Sequence, residues 1–344
     1  MKTKLVKMDA IKEAGEIIRA GGLVAFPTET VYGLGADAMN SEAAARIYAA
    51  KGRPSDNPLI VHIADMEQVE LVAKEIPVMA RKIMEAFWPG PLTVILNKKE
   101  TVPDGTTGGL KTVAIRMPSH PDARALIRES RCVIAAPSAN TSGRPSPTTA
   151  QHVLEDMDGK IPMILDGGPV GIGIESTIVD MTGEVPMILR PGYITKEMLE
   201  SVVGTVQVDP AVSGRQMPQN VVAKAPGMKY RHYAPKGQLT LVEGDTDKVV
   251  EKINCLAKEK EEAGFRVGII ATDETLERYQ AGLCKSIGSR ENPDSVAANL
   301  YSILRECDAL ALDYIYSESF FEKGLGNAIM NRMLKAAGYH LITV

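Results

Sequence analysis

The sequence predicts an α/β protein of two domains, and three observations support that prediction. The chain has 344 residues, more than a single hydrophobic core usually serves. Short apolar runs typical of strands alternate with amphipathic helical segments along most of its length. A stretch with neither the pattern of a strand nor the periodicity of an amphipathic helix interrupts this alternation near residue 210. We therefore expect an N-terminal domain over residues 1–209, a linker over 210–237 and a smaller C-terminal domain over 238–344.

The N-terminal domain is predicted to combine many strands with several helices. The strand candidates are apolar runs bounded by turn residues: LVAF (23–26), PLIVHI (58–63), PLTVILN (91–97), TVAIRM (112–117), RCVIAAP (131–137), IPMILD (161–166), STIVDM (176–181) and VPMILRPG (185–192). Helical patterns lie between them over residues 9–20, 41–50, 65–74, 77–87, 121–130, 148–157 and 195–204. Asp9 and Ser41 are expected to cap the first two helices. The irregular spacing argues against a regular βαβ repeat and favours a mixed sheet.

The linker is predicted to be irregular and cationic. It contains several prolines and small residues and no acidic residue, and its basic residues are Arg215, Lys224, Lys229, Arg231 and Lys236. After it, strand and helix patterns alternate regularly from QLTLVEG onwards, which predicts a small Rossmann-like domain.

Composition and charge limit the classes of function. A net charge of −4 argues against a polycation that coats nucleic acid. The four cysteines are far apart, form no CxxC motif and indicate reduced thiols. The opening MKTKLVKMDAIKE has no apolar signal core, and no apolar run is long enough for a membrane span. We therefore expect a cytoplasmic protein without membrane contact.

Common catalytic and nucleotide-binding signatures do not occur in the sequence. There is no GxxxxGK[ST] loop, no HExxH, no GxSxG and no kinase signature. The five histidines show no metal-ligand spacing, so we expect no metal held by the protein.

Polar clusters at the edges of apolar strands are the candidate functional residues. The first, PTETVYGLGAD (27–37), is either an ordinary turn or the rim of a small-ligand site. In the second, KGRPSDN (51–57), Lys51 is either a helix C-terminal cation or a phosphate ligand. Arg53 and Asn57 in the same cluster favour the phosphate interpretation, because three donors in seven residues suit a polyanion. His62 follows in the next strand. Considered alone, it is interpreted as a core histidine whose ring nitrogens have hydrogen-bond partners.

The remaining clusters leave similar alternatives open. Arg116 ends an apolar strand and needs either a structural Asp or Glu or the carboxylate of a ligand. The loop APSANTSGRPSPT (136–148) is either a solvated turn or a hydroxyl and amide cradle for phosphate. IESTIVD and ILRPG add Ser176 and Arg190 at strand ends. Together the clusters indicate a site that positions and neutralises an anionic ligand, as nucleotidyl transfer requires.

The same motifs resemble those of a known family. KGR at 51–53 and SAN at 138–140 resemble the KxR…SxN signature of the YrdC-like family. PTETVYGL, FWPGPLT, ESTIVD and ILRPG are similar to that family's motifs in the same order. APGMKYRHYAP and the C-terminal domain resemble the family's long, two-domain form. The resemblance implies a twisted mixed sheet with a concave basic face.

The resemblance also implies a reaction. L-Threonine, bicarbonate or CO2, and ATP would give threonylcarbamoyl-AMP and pyrophosphate, with Mg²⁺ arriving bound to ATP and no cofactor held by the protein. Partner proteins would use the product to modify adenosine 37 of tRNAs that read ANN codons, and we expect at most a weak contact with tRNA itself. The cationic linker, with Tyr230, Arg231, His232 and Tyr233, is expected to close over the site or to serve as a passive tether.

Site residues follow from the resemblance position by position. The implied threonine pocket is Thr30, His62, Arg116, Ala136 and Ser176. The implied ATP ligands are Lys51, Arg53, Asn57, Thr112, Ser138, Asn140, Ser146, Arg190 and His232, with Lys51 and Arg53 as the catalytic pair.

Two rival functions remain from the sequence. A double-stranded RNA or tRNA binding module could use the same phosphate donors, although the net acidity argues against that as the sole role. A carbamoyl-transferring maturation enzyme would share one domain, but the zinc-finger and acylphosphatase modules typical of such enzymes are missing here.

Overall fold

The computed structural model describes residues 2–213, 224–226, 232–320 and 323–344. The chain divides into two compact units. The first unit comprises Met1–Ser142 and Ser146–Lys229, and the second comprises Gly143–Pro145 and Tyr230–Val344. Of the described linker residues, 224–226 therefore belong to the first unit and 232–237 to the second.

One large sheet organises the first unit. Its strands, within the described residues, are β1 (Lys4–Lys7), β2 (Val24–Phe26), β3 (Gly33–Asp37), β4 (Ile60–His62), β5 (Leu92–Asn97), β6 (Thr112–Arg116), β7 (Ile134–Ala135), β8 (Met163–Asp166), β9 (Thr177–Asp180), β10 (Met187–Arg190) and β11 (Gln207–Val208). Their order is β1-β8-β2-β3-β7-β4-β6-β5-β9-β10-β11. Parallel pairs such as β4 with β6 mix with antiparallel pairs such as β5 with β6. The prediction of a mixed α/β sheet is confirmed.

Helices cover this sheet unequally. They are α1 (Ile11–Arg19), α2 (Ser41–Lys51), α3 (Val69–Val72), α4 (Val78–Phe87), α5 (Asp104–Thr107), α6 (Pro121–Ser130), α7 (Ala150–Met157) and α8 (Lys196–Val203). One face of the sheet packs against α2, α3, α4, α7 and α8 in the main core. On the opposite face α1 and α6 cover only the β2, β7 and β8 region.

The half of that face against which α1 and α6 do not pack, which we call the uncovered half, bears a smaller apolar cluster, the apolar patch. It is formed by residues of β4, β5, β6, β9 and β10 together with one residue of the linker: Ile60, Ile95, Ala114, Ile178, Leu189 and Ala225. Because side chains alternate between the faces of a strand, His62 and Arg116 share the face of Ile60 and Ala114. The polar side chains of His62 and Arg116 therefore lie on the same face as the apolar patch, and both are buried.

The structure corrects two predicted helix caps and adds strands that the sequence did not reveal. Asp9 lies in a short 3₁₀ turn before α1, whose N-cap residue is Ala10. Helix α2 is capped by Asn40 in place of Ser41, because the Asn40 side chain accepts from the backbone N–H groups of Glu42 and Ala43. In the first unit the unpredicted strands are β1, β3 and β11, which lie in charged, glycine-rich or exposed segments that lack a strand-like apolar run.

The second unit has a smaller, fully parallel sheet, as the prediction of a Rossmann-like domain requires. Its strands are β12 (Gln238–Glu243), β13 (Val267–Ala271), β14 (Leu283–Ser286), β15 (Tyr314–Glu318) and β16 (Leu341–Thr343), in the order β14-β13-β15-β12-β16. Its helices are α9 (Thr246–Glu262), α10 (Pro293–Ala309) and α11 (Leu325–Ala336). No helix within the described ranges is long and apolar enough to cross a membrane.

Candidate active site

A row of side chains crosses the uncovered half of the first sheet. Strand pairing sets His62 opposite Arg116, and Arg116 opposite Thr93. The row continues from Thr93 to Ile178 and from Ile178 to Arg190. Since paired residues point to the same face of a sheet, strands far apart in the sequence place two arginines, a histidine and a hydroxyl on one surface.

Arg190 and Ser176 form the end of this row. The Arg190 Nε donates to the backbone oxygen of Ser176 at 3.1 Å, and Nη2 donates to its Oγ at 3.2 Å. Ser176 Oγ also lies 2.8 Å from Thr93 Oγ1. Gly192 permits this approach, because a Cβ there would come within 2.4 Å of the Thr177 backbone nitrogen. Gly192, at the end of the RPG sequence (190–192), thus lets the end of β10 approach the start of β9 at Ser176.

Arg116 occupies the centre of the row and is almost fully buried. Its Nη1 donates to Thr30 Oγ1 at 2.9 Å, and its Nη2 forms an ion pair with Glu29 Oε1 at 2.7 Å. The sequence left open whether a structural acid or a ligand would pair with this arginine. The structure identifies Glu29, which the sequence analysis placed in the PTET cluster without assigning it a role.

His62 lies beside Arg116 and is neutral at physiological pH. Its Nδ1 donates to the backbone oxygen of Ile60 at 3.1 Å, and its ring meets Phe26 edge-on with centroids 6.2 Å apart. Burial, and after it the charge of Arg116, lowers the pKa of His62 from its usual 6.5 to about 3. Gly35 makes room for Phe26, since a Cβ there would lie 2.8 Å from the phenyl ring.

Lys51 ends helix α2 and reaches the loop that contains Ser138 and Asn140. Gly52 follows in the left-handed conformation at φ 62°, as expected of a residue that ends a helix. The Lys51 Nζ donates to the backbone oxygen of Ser138 at 2.5 Å and also to that of Asn140. Ser138 Oγ donates to Asn140 Oδ1 at 2.6 Å. The buried ammonium therefore fixes the loop that is expected to bind phosphate.

Arg53 and Asn57 lie together at the start of β4. Arg53 Nη2 donates to the backbone oxygens of Asn57, at 3.3 Å, and of Pro58, at 3.0 Å. Asn57 is buried, and its Oδ1 has no hydrogen-bond partner among the described residues. The two prolines of this motif therefore flank a compact turn that presents one guanidinium and one amide.

The predicted residues outside these clusters occupy different places. Ser146 Oγ donates to Glu175 Oε1 at 2.6 Å, next to Ser176. Ala136 already donates its backbone N–H to Ile60 at 2.9 Å. Thr112 begins the strand that Arg116 ends, which separates the two by about 13 Å. His232 belongs to the second unit, where its ring lies 5.6 Å from that of Tyr233.

The described part of the linker in the first unit lies on the same face as the row. Ala225 is fully buried in the apolar patch. The backbone oxygen of Pro226 accepts from Arg190 Nη1 at 3.4 Å, and Lys224 Nζ lies 3.4 Å from Asp180 Oδ2. The linker predictions that named Arg215, Lys229, Tyr230 and Arg231 concern residues outside the described ranges.

Metal-ligating groups do not gather in the described residues. No group of three or more His, Cys, Asp or Glu side chains there could hold a metal ion. The donors on the uncovered face are cationic and hydroxylated, a set that suits phosphate and carboxylate groups.

Similarity to known proteins covers both units. Residues 16–192 match the Sua5–YciO–YrdC family model, whose description is telomere recombination. The chain belongs to that family. Residues 194–338 match a second model, described as the C-terminal domain of threonylcarbamoyl-AMP synthase. The expected resemblance to the long, two-domain form of the family is confirmed.

Relatives within the family match nearly the whole chain. A protein of Bacillus subtilis (strain 168) named threonylcarbamoyl-AMP synthase is 51% identical over 333 residues, 96% of this chain and 94% of its own length. A Pyrococcus abyssi protein of the same name is 51% identical over 334 residues, 97% of this chain and 96% of its own length. The crystal structure of P. abyssi Sua5 complexed with L-threonine has a TM-score of 0.93 at 50% identity, and the match covers 100% of this chain and 98% of that one.

Proposed function

We propose that this protein converts L-threonine, bicarbonate or CO2, and ATP into threonylcarbamoyl-AMP and pyrophosphate. The observation that carries this proposal is the match, at 51% identity over 96% of the chain, to a relative named threonylcarbamoyl-AMP synthase. The donors on the uncovered face support it, because an adenylate-forming site needs cations and hydroxyls for phosphates and for a carboxylate.

The threonine pocket in this proposal lies along the row of side chains. Arg116 binds the carboxylate, and Thr30 and Ser176 supply hydroxyls around it. His62, held neutral, adds no positive charge beside the amine. A relative complexed with L-threonine has the same overall fold, which makes an amino acid a reasonable ligand here.

ATP in this proposal lies beside the threonine. Lys51 holds the Ser138–Asn140 loop through the two carbonyl oxygens to which it donates, so that hydroxyl and amide donors converge on phosphate. Arg53 and Arg190 supply further positive charge. The remaining ATP ligands that we propose are Asn57, Thr112, Ser146 and His232.

The reaction needs positioning more than it needs a nucleophile on the protein. The neutral amine of threonine attacks the carbon of bicarbonate to give a carbamate, and water leaves. A carbamate oxygen then attacks the α-phosphorus of ATP, and pyrophosphate departs. Removing one donor that stabilises the phosphate charge typically costs about 3 kcal/mol, or roughly a hundredfold in rate. We assign that stabilisation to Lys51, Arg53 and Arg190, with Mg²⁺ entering on the phosphates of ATP.

The linker closes the site in this proposal. A carbamoyl adenylate hydrolyses in water, so a cover would lengthen its life. The burial of Ala225 in the apolar patch and the contact between Pro226 and Arg190 support this assignment. Deletion of residues 211–236, with the predicted domains 1–209 and 238–344 retained, should shorten the lifetime of the intermediate. An unchanged rate of formation and lifetime would indicate a passive tether.

The product is proposed to serve tRNA modification. Partner proteins would transfer its threonylcarbamoyl group to adenosine 37 of tRNAs that read ANN codons. A net charge of −4 agrees with at most a weak contact between this protein and tRNA itself.

The direct test uses the full chain with ATP, labelled bicarbonate and each of several amino acids. We expect pyrophosphate release and a labelled adenylate with L-threonine. Serine lacks one methyl group, and packing of one methyl allows a preference for threonine of about 10- to 200-fold. No threonine-dependent pyrophosphate would contradict the proposal, and RNA binding without turnover would favour the rival binding module.

A further inference from the structure

We propose that Glu29 binds the α-ammonium group of the amino-acid substrate and accepts a proton from it. This inference rests on the proposed function and adds a residue for which neither the sequence motifs nor the resemblance gave a role. It also gives the reaction a proton acceptor, a role that none of the residues assigned above has.

The surroundings of the Glu29 carboxylate are unusual for a buried acid. Its side chain is 12% exposed, and its Oε1 lies 2.7 Å from Arg116 Nη2. Within the described residues, however, neither carboxylate oxygen has a partner in hydrogen-bond geometry, and the Nε and Nη2 of Arg116 have none either. Buried carboxylates normally accept several hydrogen bonds, so this pair has unused capacity on both sides.

That capacity matches the charges of a free amino acid. A zwitterion carries one carboxylate and one ammonium, and the pair presents one guanidinium and one carboxylate. When the substrate carboxylate binds Arg116, Glu29 loses the ionic partner that it has among the described residues and becomes a charge in need of a cation. The substrate ammonium can supply that positive charge. Because a zwitterion has no net charge, its binding leaves the net charge of the site unchanged.

The local backbone keeps Glu29 beside this position. Its backbone oxygen accepts from Ile172 at 2.9 Å, and the next residue, Thr30, bonds to Arg116 Nη1 at 2.9 Å. Thr28 Oγ1 donates to the backbone oxygen of Val31 at 2.6 Å, which closes the turn. The carboxylate is therefore attached to a fixed turn, and exchange requires only a change of its side-chain rotamer.

The chemistry requires a proton acceptor at this point. The α-amine of a free amino acid is protonated near neutral pH and cannot attack carbon while it keeps that proton. Transfer of one proton from the ammonium to the Glu29 carboxylate leaves a neutral amine and a carboxylic acid. The amine and bicarbonate then give the carbamate anion and water, which balances atoms and charge.

The test compares two ligands that differ only at the amine. Binding of L-threonine and of 2,3-dihydroxybutanoate, in which a hydroxyl replaces the amine, is measured by calorimetry on the wild type and Glu29→Gln. Glu13→Gln, whose side chain forms a half-exposed surface ion pair with Lys4, is the matched control. We expect Glu29→Gln to weaken threonine binding about 10- to 100-fold and to leave the hydroxy analogue within about twofold.

Two further measurements separate a direct role from a structural one. The Glu29→Gln variant should release pyrophosphate faster as pH rises, because the neutral amine then forms without the carboxylate. Glu29→Asp keeps the charge and should retain the preference for threonine over the hydroxy analogue. It also provides the test if Glu29→Gln does not fold.

Two outcomes would overturn the assignment. One is weakening of both ligands by the same factor in Glu29→Gln, and the other is binding of both ligands at the wild-type affinity in that variant. If the wild type binds threonine and releases pyrophosphate while either outcome holds, only the role of Glu29 fails. If the wild type releases no pyrophosphate with any amino acid, the proposed function itself fails.

Discussion

Each unit of the molecule contains an Arg–Glu ion pair of which one member is almost fully buried, and the two pairs differ in how their carboxylates are satisfied. In the second unit Glu318 is paired with Arg290 through Oε2, while its Oε1 accepts from Tyr279 OH at 2.8 Å and from Thr275 Oγ1. In the first unit Glu29 has an ionic partner in Arg116 and no hydrogen bond to its carboxylate among the described residues.

The difference separates a structural pair from one that is ready for a ligand. The Glu318 carboxylate is 1% exposed, and its hydrogen bonds compensate for burial. A ligand that displaced Arg290 would therefore disrupt more stabilising contacts than it formed. Glu29 contacts Arg116 at the end of β6 and lacks that compensation among the described residues. Similar residue pairs thus acquire different roles from the hydrogen bonds around them.

The largest effect is expected from Arg116→Ala, which breaks the pair of the first unit. Glu29 would remain buried without a cation, and breaking a buried pair in this way typically costs about 3–5 kcal/mol of stability. Threonine-dependent pyrophosphate release should disappear as well. Denaturant unfolding measures the first effect and a coupled pyrophosphate assay the second. Full activity in this variant would contradict the proposed threonine pocket.

Glu318→Ala breaks the pair of the second unit and should have a smaller and purely structural effect. It removes the acceptor for Tyr279 and Thr275, but the Arg290 side chain is 26% exposed and can reach water. We expect a loss of about 2–4 kcal/mol in unfolding free energy. The Michaelis constant for threonine should stay at the wild-type value. A large change in it would contradict the claim that only the pair of the first unit binds the substrate.

A pH dependence specific to the first unit follows from His62. Its pKa is about 3 in the folded protein and near 6.5 when unfolded, so only the unfolded chain binds a proton between those values. Stability should therefore be unaffected by this group above pH 6.5 and should fall as pH drops below it, by roughly 1 kcal/mol per pH unit. Unfolding curves of the wild type and His62→Gln at pH 7 and pH 5 measure the difference. Parallel losses in both proteins would contradict the prediction.

The smallest effect is expected from Glu13→Gln on the surface of the first unit. Lys4 and Glu13 lie 2.8 Å apart, but their side chains are 64% and 50% exposed. Ion pairs of this kind contribute little, so stability should change by less than about 0.5 kcal/mol and activity should stay the same. A larger change in the free energy of urea unfolding would contradict the claim that exposed ion pairs stabilise this protein less than buried ones.

Much of the fold was predictable because apolar runs mark buried strands. The patterns around Val61 and Val94 predicted β4 and β5, which the structure contains. Strand β3 was missed because GLGAD offers no apolar run, and its glycines are explained by the close approach of the Phe26 ring and, at Gly35, of the Ile134 side chain. Ser41 was predicted as the cap of α2 and the structure uses Asn40, because the position of a cap depends on backbone geometry that the sequence does not specify.

The candidate site was predictable as a set of residues but not as an arrangement. The motifs identified His62, Arg116, Ser176 and Arg190, and the row that they form depends on pairing between distant strands. Glu29 was visible in PTET, yet its lack of hydrogen bonds is a property of three-dimensional packing. Long-range register and hydrogen-bond satisfaction are therefore the two features that the sequence alone did not provide.

A crystal structure of this protein with L-threonine would test the central claim most directly. Glu29 Oε1 and Arg116 Nη2 are 2.7 Å apart here. We predict that this distance opens beyond about 3.5 Å, with the substrate carboxylate on Arg116 and its ammonium on Glu29. An intact Glu29–Arg116 pair, with threonine bound through other residues, would contradict the account.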